Sequence, residues 1–345
     1  MRAARVVSHG SPTEVIEIQD DVAVPEPEAG GVRVRVAAAS LNWGDIARCR
    51  GGVASVMAQP PFTLGMDVAG VVDAAGEGAE QWIGRRVVAV CTQSIGGIAE
   101  AALAPAWSVF DAPDGLDDVE AAAVTLPFHT MYLALHKRAR LQAGETLLVL
   151  PGASALGTAA IQLGVAAGAE VIAVAGGREK GLLCEALGAK LAIDSSSEDI
   201  FDRVMEHTGG HGADVVCDMV GGDQTESIWT CVALDGRYVP VGFNDDPESG
   251  LTGRPLRKVS MGNFSVVGVM VAYASLPAEF RRFGLNTFPP ETGVEVHRAL
   301  LALLAGGAIR PVIGRRIGMS EVATALEDHE QRRTTGRTVV DMSLP

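Results

Sequence analysis

The sequence predicts an α/β protein in which a β-rich N-terminal domain precedes a doubly wound parallel sheet. From residue 146 to residue 271, apolar strand-like runs alternate with helical segments, which is typical of a parallel sheet covered by helices on both faces. The first 120 residues instead hold short strand-like runs separated by Gly, Pro and acidic turns, which is typical of a Greek-key or barrel domain. A chain of 345 residues is long enough for two such domains.

The best-defined part of the parallel sheet is a βαβ unit. It consists of an apolar strand, a glycine-containing turn, an Ala-rich helix and a second strand, at residues 146–150, 151–157, 158–168 and 171–175. The turn carries Gly152 and Gly157 at the first and third positions of the dinucleotide fingerprint G-x-G-x-x-G, with Ser154 at the second. Free amides at the start of the helix would suit a pyrophosphate, and the Ser154 hydroxyl could donate to a phosphate oxygen. A βαβ crossover without a cofactor is the alternative.

The residues after the second strand indicate which dinucleotide would bind. An NAD site usually has an acidic residue about 20 positions beyond the glycines. Here Gly176, Gly177, Arg178, Glu179 and Lys180 occupy that place. The glycines leave room, and the two cations suit a 2′-phosphate. A solvated first helical turn is the alternative, but cations there oppose the helix dipole, so the sequence favours NADPH.

The remaining elements follow from the same periodicities. Further helices are predicted in the parallel sheet domain at residues 180–187, 197–208 and 225–234, and strands at 191–194, 213–218, 237–241 and 264–271. N-terminal strands are predicted at residues 5–7, 31–38, 67–73 and 86–90. The tail is predicted to form helices at 295–305 and 319–329 and a strand at 338–340, and to fold back on the N-terminal domain. The predicted domain bounds are 1–122, 123–270 and a returning 271–345.

Composition and charge restrict the classes of partner. The chain has 28 Lys and Arg against 42 Asp and Glu, a net charge of −14, which argues against nucleic acid or an anionic membrane surface as a general partner. The five cysteines show no C-x-x-C pairing, as expected in a reducing cytoplasm. The N-terminus lacks the apolar core of a signal peptide, and the longest apolar region is interrupted by proline, glycines and polar residues. We therefore expect a cytoplasmic protein with a small-molecule substrate and no membrane span.

Short motifs in a characteristic order extend over nearly the whole chain. They are Leu-Asn-Trp-Gly-Asp at 41–45, Pro-Phe-Thr-Leu-Gly-Met-Asp at 61–67, Gly-Arg-Arg-Val at 84–87, Gly-Gly-Ile-Ala-Glu at 96–100 and the strand, turn and helix at 148–166. On these motifs the chain resembles a zinc-free member of the medium-chain dehydrogenase/reductase superfamily, among the quinone oxidoreductases and enoyl reductases. The resemblance implies a GroES-like catalytic domain interrupted by a Rossmann domain, with NADPH and substrate in the interdomain cleft. It also implies hydride transfer to an activated alkene or a quinone.

The resemblance bears on metal binding as well. Zinc-dependent relatives need a thiolate and an imidazole in the catalytic domain, because zinc prefers sulfur and nitrogen ligands. In this chain Asn42 stands where their cysteine would be, and Met66 stands where their histidine would be. No run of closely spaced cysteines exists for a structural zinc, so we expect no metal site. Without a Lewis acid, reduction of a conjugated carbonyl is more natural than oxidation of an alcohol.

Asn42, Asp45 and Tyr273 are the catalytic candidates. The resemblance places Asn42 and Asp45 near the nicotinamide, where Asn42 would hold the substrate carbonyl or the nicotinamide ribose. Asp45 would transfer a proton, or would instead cap a helix or fix a loop. Reductases of enoyl thioesters commonly carry a tyrosine donor shortly after the Asn-x-x-Asp motif, and no tyrosine occurs in the first 131 residues. Tyr273 is a substitute candidate, with a core or cleft-wall role as the alternative.

The predicted cofactor site draws on both domains. Besides Asn42, its members are Thr130, Gly152, Ser154, Ala155, Leu156, Gly157, Gly176, Arg178, Lys180, Ser195, Val220, Gly242, Phe243, Met270 and Arg337. Arg48 and Arg50 would bind an anionic substrate group, or would simply be solvated. The predicted function is a zinc-independent, NADPH-dependent reductase of quinones or α,β-unsaturated carbonyl compounds. An enoyl-thioester reductase of a biosynthetic pathway and a non-catalytic NADPH-binding protein are the alternatives.

The last predicted strand also predicts an assembly. Residues Phe264 to Val271 are β-prone and apolar, without the lysine or proline that usually protects an exposed edge. In the superfamily that the chain resembles, this strand commonly pairs with its twin across a twofold axis. We therefore expect a homodimer with one continuous sheet. An edge covered by a loop of the same chain, around residues 280–290, is the alternative.

Overall fold

The chain forms two compact units. The computed structural model describes residues 1–52, 59–241 and 257–345. The first unit comprises Met1–Leu126, Ala272–Ala305 and Pro311–Pro345, and the second comprises Pro127–Val271 and Gly306–Arg310. The first is β-rich and the second holds a parallel sheet with helices. The predicted fold class, a GroES-like β-rich domain plus a Rossmann doubly wound parallel sheet, is confirmed.

Elements are numbered in chain order through both units. The strands of the first unit are β1 Ala3–Val6, β2 Ile16–Gln19, β3 Gly31–Ser40, β4 Phe62–Thr63, β5 Asp67–Ala75, β6 Arg86–Val90, β7 Ala101–Pro105, β8 Val109–Asp111, β15 Ile313–Ile317 and β16 Arg337–Asp341. Its helices are α1 Pro12–Val15, α2 Trp43–Cys49, α3 Asp118–Ala122, α10 Pro290–Ala305 and α11 Val322–Glu330, and α4 Thr125–Tyr132 crosses into the second unit.

Strand β3 is the centre of the main sheet of the first unit. Val32, Val34 and Val36 are buried while Arg33 and Arg35 alternate with them toward the other face, the period-two pattern of a strand with one face on a core. β3 pairs antiparallel with β5, β7 and β16, and the sheet runs in the order β15-β16-β3-β5-β6-β8. A strand from residues 337–341 thus lies directly beside one from residues 31–40. This pairing brings Arg337 next to the end of β3.

The second unit is built on parallel strands. They are β9 Thr146–Leu150, β10 Glu170–Ala175, β11 Leu191–Asp194, β12 Ala213–Asp218, β13 Val232–Pro240 and β14 Ser265–Val266, joined by α5 Ala155–Ala166, α6 Arg178–Ala186, α7 Ile200–His207, α8 Thr225–Trp229 and α9 Arg257–Gly262. The order is β11-β10-β9-β12-β13-β14, all parallel. Leu147, Leu148 and Val149 are fully buried because helices cover both faces. The order reverses between β9 and β12, which is where such sheets bind ligands at their carboxyl ends.

Several predicted element bounds are wrong, each for a local reason. Helix α5 begins at Ala155 instead of residue 158, because Ser154 caps it and accepts a hydrogen bond from the Gly157 amide. Helix α7 begins at Ile200 instead of residue 197, because Asp199 caps it in the same way. The helix predicted to reach residue 234 ends at Trp229, and residues 232–234 instead begin β13.

Two strands near the end of the chain also differ from the prediction. The strand predicted over residues 264–271 is regular only at Ser265–Val266, where it pairs with β13. Strand β15 was not predicted, because Arg315 and Arg316 interrupt the alternation of apolar and polar residues. In the structure Arg315 bonds to Asp328 and Arg316 to Asp341. In the described ranges, no helix is both long enough and apolar enough to cross a membrane.

Candidate functional site

The turn between β9 and α5 is shaped by its two fingerprint glycines. A Cβ on Gly157 would lie 2.0 Å from the Pro151 carbonyl oxygen and 2.5 Å from that of Gly152. A Cβ on Gly152 would lie 2.8 Å from the Ala173 Cβ and from the Cys184 Sγ. Both positions therefore require glycine for close packing of the turn, the helix and the neighbouring strand.

Ser154 has a different role from the predicted phosphate contact. Its hydroxyl donates to the Pro151 carbonyl at 3.0 Å and accepts from the Gly157 amide at 3.0 Å, so both functions of the hydroxyl are already used by the turn. The amides of Ala155 and Leu156 have no partner within the described part of the chain. These two amides, at the N-terminus of a twelve-residue helix, are the donors that could meet an anion.

A second turn lies at the carboxyl end of β10, next to the first. Gly177 adopts φ +89°, a backbone conformation that suits glycine. Its amide donates to the Asp194 carboxylate at 2.9 Å, and Asp194 also accepts from the amide and hydroxyl of Ser196. Those hydrogen bonds, the Ser196 hydroxyl first, hold the pKa of Asp194 below its ordinary value. Sequence reasoning missed Asp194, although its position at the end of a parallel strand could have marked it.

The cations of this turn stand in different surroundings. Arg178 begins α6 and is exposed, without an ion pair to any residue in the described ranges. Lys180 is half-buried on the first turn of the same helix. Ser195, across from Gly177, donates its amide to the Ala175 carbonyl at 3.0 Å. The turn is therefore fixed by its backbone while the Arg178 guanidinium stays available to a ligand.

The turn after β12 is also held by a carboxylate. Asp218 accepts from the amides of Val220 and Gly221 at 2.8 and 3.0 Å, and from the Tyr238 hydroxyl at 2.6 Å. Burial, reinforced by the Asp218 charge, raises the pKa of Tyr238. The Val220 amide, which belongs to the predicted cofactor site, is thus committed within the protein. Its side chain remains half-buried.

In the first unit, Asn42 lies in a buried polar cluster made with Ser40, Asp67 and Arg337. The Asn42 Nδ2 donates to the Ser40 carbonyl at 3.1 Å and to Asp67 Oδ1 at 2.9 Å. Its Oδ1 accepts from Arg337 Nη2 at 2.6 Å. Arg337 Nη2 also bonds to the Ser40 hydroxyl at 2.8 Å and to Asp67 at 3.1 Å. These bonds fix the amide in one orientation, with a single Oδ1 lone pair left over.

Arg337 was predicted to bind the cofactor, but its described contacts are with this cluster. The residue is 4 % exposed and its Nε has no hydrogen-bond partner in the described ranges. Ion pairing with a buried carboxylate is a sufficient reason for a buried arginine at this place. Sequence reasoning missed Ser40 and Asp67, because their partners are distant in the sequence.

Asp45 takes the capping role that was its alternative to proton transfer. It is fully buried, and its two oxygens accept from the amides of Asn42, at 2.8 Å, and Gly65, at 3.1 Å. Through the Asn42 amide it caps the N-terminus of α2. Burial raises the pKa of Asp45 to about 6, against the lowering effect of the Arg48 charge and the two amides.

Three further predicted residues differ in their burial. Tyr273 is 4 % exposed, and its ring meets that of Phe110 edge-on, with centroids 6.2 Å apart; burial raises the pKa of its hydroxyl. Thr130 is buried on α4, whereas Met270 is exposed. Gly242 and Phe243, both predicted to contact the cofactor, lie outside the described residues.

Metal-ligating residues do not gather in the described ranges: no group of three or more His, Cys, Asp or Glu side chains there could hold an ion. Asn42 and Met66 stand at the positions where zinc-dependent relatives carry ligands. Asn42 is buried in the polar cluster with Ser40, Asp67 and Arg337, and Met66 is half-buried beside Gly44.

Comparison with known proteins matches both units. Residues 28–114 match the family model of the alcohol dehydrogenase GroES-like domain, and residues 155–286 match that of the zinc-binding dehydrogenases. The quinone oxidoreductase of Sus scrofa is 32% identical over 342 residues, covering 99% of this chain and 97% of that one. The quinone oxidoreductase of Pseudomonas aeruginosa is 33% identical over 334 residues, covering 96% and 97%.

Solved structures are similar over the same length. The quinone oxidoreductase from Thermus thermophilus, described alone and in complex with NADPH, is 32% identical and superposes with a TM-score of 0.78, covering 99% of this chain and all of that one (100%). The likeness thus extends over both units and the order of their elements.

Proposed function

Because this chain belongs to the medium-chain dehydrogenase/reductase superfamily, among its quinone oxidoreductase-like members, we propose that it transfers hydride from NADPH to a quinone or an α,β-unsaturated carbonyl compound without zinc. Membership makes the chain an oxidoreductase; the cofactor and the class of acceptor are the proposal. The observation that carries it is the turn after β10, where Gly176, Gly177 and an exposed Arg178 take the place of an acidic side chain.

The residues of the second unit fit a phosphorylated dinucleotide. The amides of Ala155 and Leu156 suit a pyrophosphate. Because the space around Gly157 admits no Cβ, this position carries no side chain that could block the pyrophosphate. Arg178 and Lys180 suit a 2′-phosphate, which a guanidinium binds through a planar fork. The NADPH complex of the Thermus thermophilus relative supports a nicotinamide cofactor.

When bound, NADPH supplies the hydride; the chain supplies binding and orientation. Both Nδ2 hydrogens of Asn42 are committed to Ser40 and Asp67, and its Oδ1 keeps one lone pair beside the Arg337 bond. Asn42 is therefore suited to accept from a hydroxyl, such as that of a ribose, and unsuited to donate to a substrate carbonyl. This supports the ribose role over the carbonyl role, the two that the sequence left open for Asn42.

The product oxygens also need protons. Asp45 has both oxygens committed to backbone amides, and Tyr273 is buried against Phe110. We therefore assign protonation to water, which suits quinones because hydroquinone oxygens exchange protons readily with solvent. Reduction of a conjugated alkene, in an enone or an enoyl thioester, requires a proton at carbon, which a positioned acid delivers best. The same argument therefore favours quinones among the proposed acceptors and disfavours the enoyl-thioester alternative.

The cofactor proposal is tested by titrating the protein with NADPH and NADH and following nicotinamide fluorescence. Replacing both Arg178 and Lys180 with Ala should weaken NADPH binding by roughly 1.5–3 kcal/mol per lost charged hydrogen bond, and should leave NADH binding nearly unchanged. Lys190→Ala is the matched control, because Lys190 is exposed before β11, at the opposite end of the sheet. Equal losses for both cofactors would mean that the two cations serve the fold instead.

The acceptor proposal is tested with a panel of simple quinones and enones. NADPH oxidation by quinones, exceeding that by enoyl thioesters, is the expected result. Tight NADPH binding without turnover of any acceptor would instead identify a non-catalytic NADPH-binding protein.

A further inference from the structure

Arg48 is a buried arginine on α2. The residue is 7 % exposed, and its guanidinium makes no hydrogen bond or ion pair with any residue in the described ranges. Its Nη1 is fully buried. Arg50, two positions later, is half-exposed and binds Glu330 through two hydrogen bonds of 2.5 and 2.7 Å. Buried charges in proteins are normally paired and hydrogen-bonded, so Arg48 is the exception in this helix.

The Arg48 guanidinium lies beside Gly44, on the same face of α2. Arg48 lies one turn after Gly44 on α2, and side chains on a helix lean toward its N-terminus. A Cβ on Gly44 would lie 2.8 Å from Arg48 Nη1 and 2.7 Å from the Met66 Sδ. Gly44 and Met66 are both half-buried, so the guanidinium lies just beneath a place that solvent reaches. Asn42 caps the same helix.

The nearby carboxylates are already committed. Asp45 favours the charged form of Arg48 through space, but its oxygens accept from the amides of Asn42 and Gly65. Asp67 is bound by Arg337. Burial lowers the pKa of Arg48, against the raising effect of the Asp45 charge. Because no described residue accepts from the buried Nη1, an acceptor on a bound ligand would satisfy it.

We propose that Arg48 binds an anionic group of the hydride acceptor, so that the acceptor is a quinone or enone bearing a carboxylate. This inference rests on the proposed function. A carboxylate matches the planar fork of a guanidinium. An acceptor is favoured over the cofactor as the source of the anion, because the features suited to the cofactor phosphates lie on the other unit, at residues 155–157 and 176–180.

The test uses one quinone in two charge states, a menadione derivative carrying a propionate and its methyl ester. The unmodified protein should prefer the acid in kcat/KM by roughly 10- to 100-fold, mainly through KM, as expected for a hydrogen-bonded charge pair. Arg48→Met should remove the preference, and Arg48→Lys should restore part of it. Arg50→Met is the matched control and should keep the full preference.

Three results would overturn the proposal. One is an Arg48→Met variant that folds, judged by its thermal transition, and still prefers the acid. Another is equal turnover of acid and ester by the unmodified protein. The third is a loss of NADPH affinity in Arg48→Met as large as its loss of kcat/KM for the acid. That result would assign the anion to the cofactor.

Failure of the proposed function is distinguishable from these results. It would appear as no NADPH oxidation with any acceptor, acid or ester. Arg48 is then tested without the cofactor, by the thermal stabilisation that the free acid gives. Stabilisation lost in Arg48→Met would support the anion site, and equal stabilisation of both proteins would overturn it.

Discussion

At the scale of single residues, Asn42 is held by a network that the sequence alone could not reveal. The motif around Asn42 and Asp45 predicted a polar pair near the reaction, and Asp45 as a cap was among the predictions. The partners of Asn42 could not be predicted, because Asp67 and Arg337 are 25 and 295 residues away from it. They meet only through the pairing of β3 with β5 and β16.

Removing the cation of this network should be costly. Arg337→Met leaves the Asp67 carboxylate buried without its partner, so we expect a loss of about 3–5 kcal/mol in the free energy of unfolding. Urea denaturation measures it. Lys258→Met, which breaks an exposed pair with Glu226, should cost about 1 kcal/mol or less. Similar small losses in both variants would mean that the buried cluster adds little to stability.

Asp45 should give stability a specific pH dependence. Its pKa is about 6 in the folded protein and about 3.9 when unfolded, so the folded state binds the extra proton between these values. The stability that Asp45 contributes is present below the unfolded pKa and is lost as the pH rises through 6. Relative to Asp45→Asn, the unfolding free energy of the unmodified protein should fall by at most about 3 kcal/mol from pH 4 to 7.

The contrasting variant is Asp194→Asn. Hydrogen bonds lower the pKa of Asp194, so its contribution is present at neutral pH and is lost as the pH falls. The two difference curves should therefore slope in opposite directions. A flat curve for Asp45→Asn between pH 4 and 7 would contradict the burial argument.

At the scale of elements, the turn between β9 and α5 shows which features of a helix and a strand can be predicted from apolar periodicity. The strand, the glycine turn and the helix were all predicted, because apolar runs and glycines are visible in the sequence. The start of α5 was wrong by three residues, since apolar periodicity does not report a capping hydroxyl. Likewise, the short β14 shows that β-propensity over residues 264–271 does not decide where the backbone pairs.

Replacing Gly157 in α5 and Gly181 in α6 with alanine should change the stability of the protein in opposite directions. Gly157→Ala must displace the carbonyls of Pro151 and Gly152, so we expect a loss of roughly 1–3 kcal/mol and weaker cofactor binding. Gly181→Ala, inside α6, would meet only the Ala192 Cβ at 3.5 Å. It should stabilise the protein by up to about 1 kcal/mol through helix propensity. Thermal and urea unfolding compare them, and a Gly157→Ala protein as stable as the parent would refute the packing argument.

At the scale of the whole molecule, the fold class followed from the alternation of elements, whereas the assembly is still a prediction. The Val267 amide bonds to the Tyr238 carbonyl, so the inner edge of this segment joins the sheet. In the described ranges no strand pairs with its outer edge. A twin copy could complete that edge.

We expect the protein to be a homodimer at micromolar concentration by light scattering. Val267→Lys should yield monomers or aggregates, because a charge would replace an apolar contact at the edge. Val294→Lys is the matched control, since Val294 is also apolar but is exposed on α10. A monomeric parent protein would contradict the dimer.

The pairing of β16 with β3 has a consequence for how the protein is made. Asp67 leaves the ribosome 270 residues before Arg337, the cation that neutralises it. Until Arg337 is synthesised, β3 lacks its neighbour β16 and the Asp67 carboxylate lacks its counterion. Strands β9 to β12, in contrast, are close together in the sequence. Nascent chains should therefore acquire amide protection in β9 to β12 before β3 and β5 do, as pulse-labelled hydrogen exchange can measure. The half of the protein synthesised first would be the last to become native.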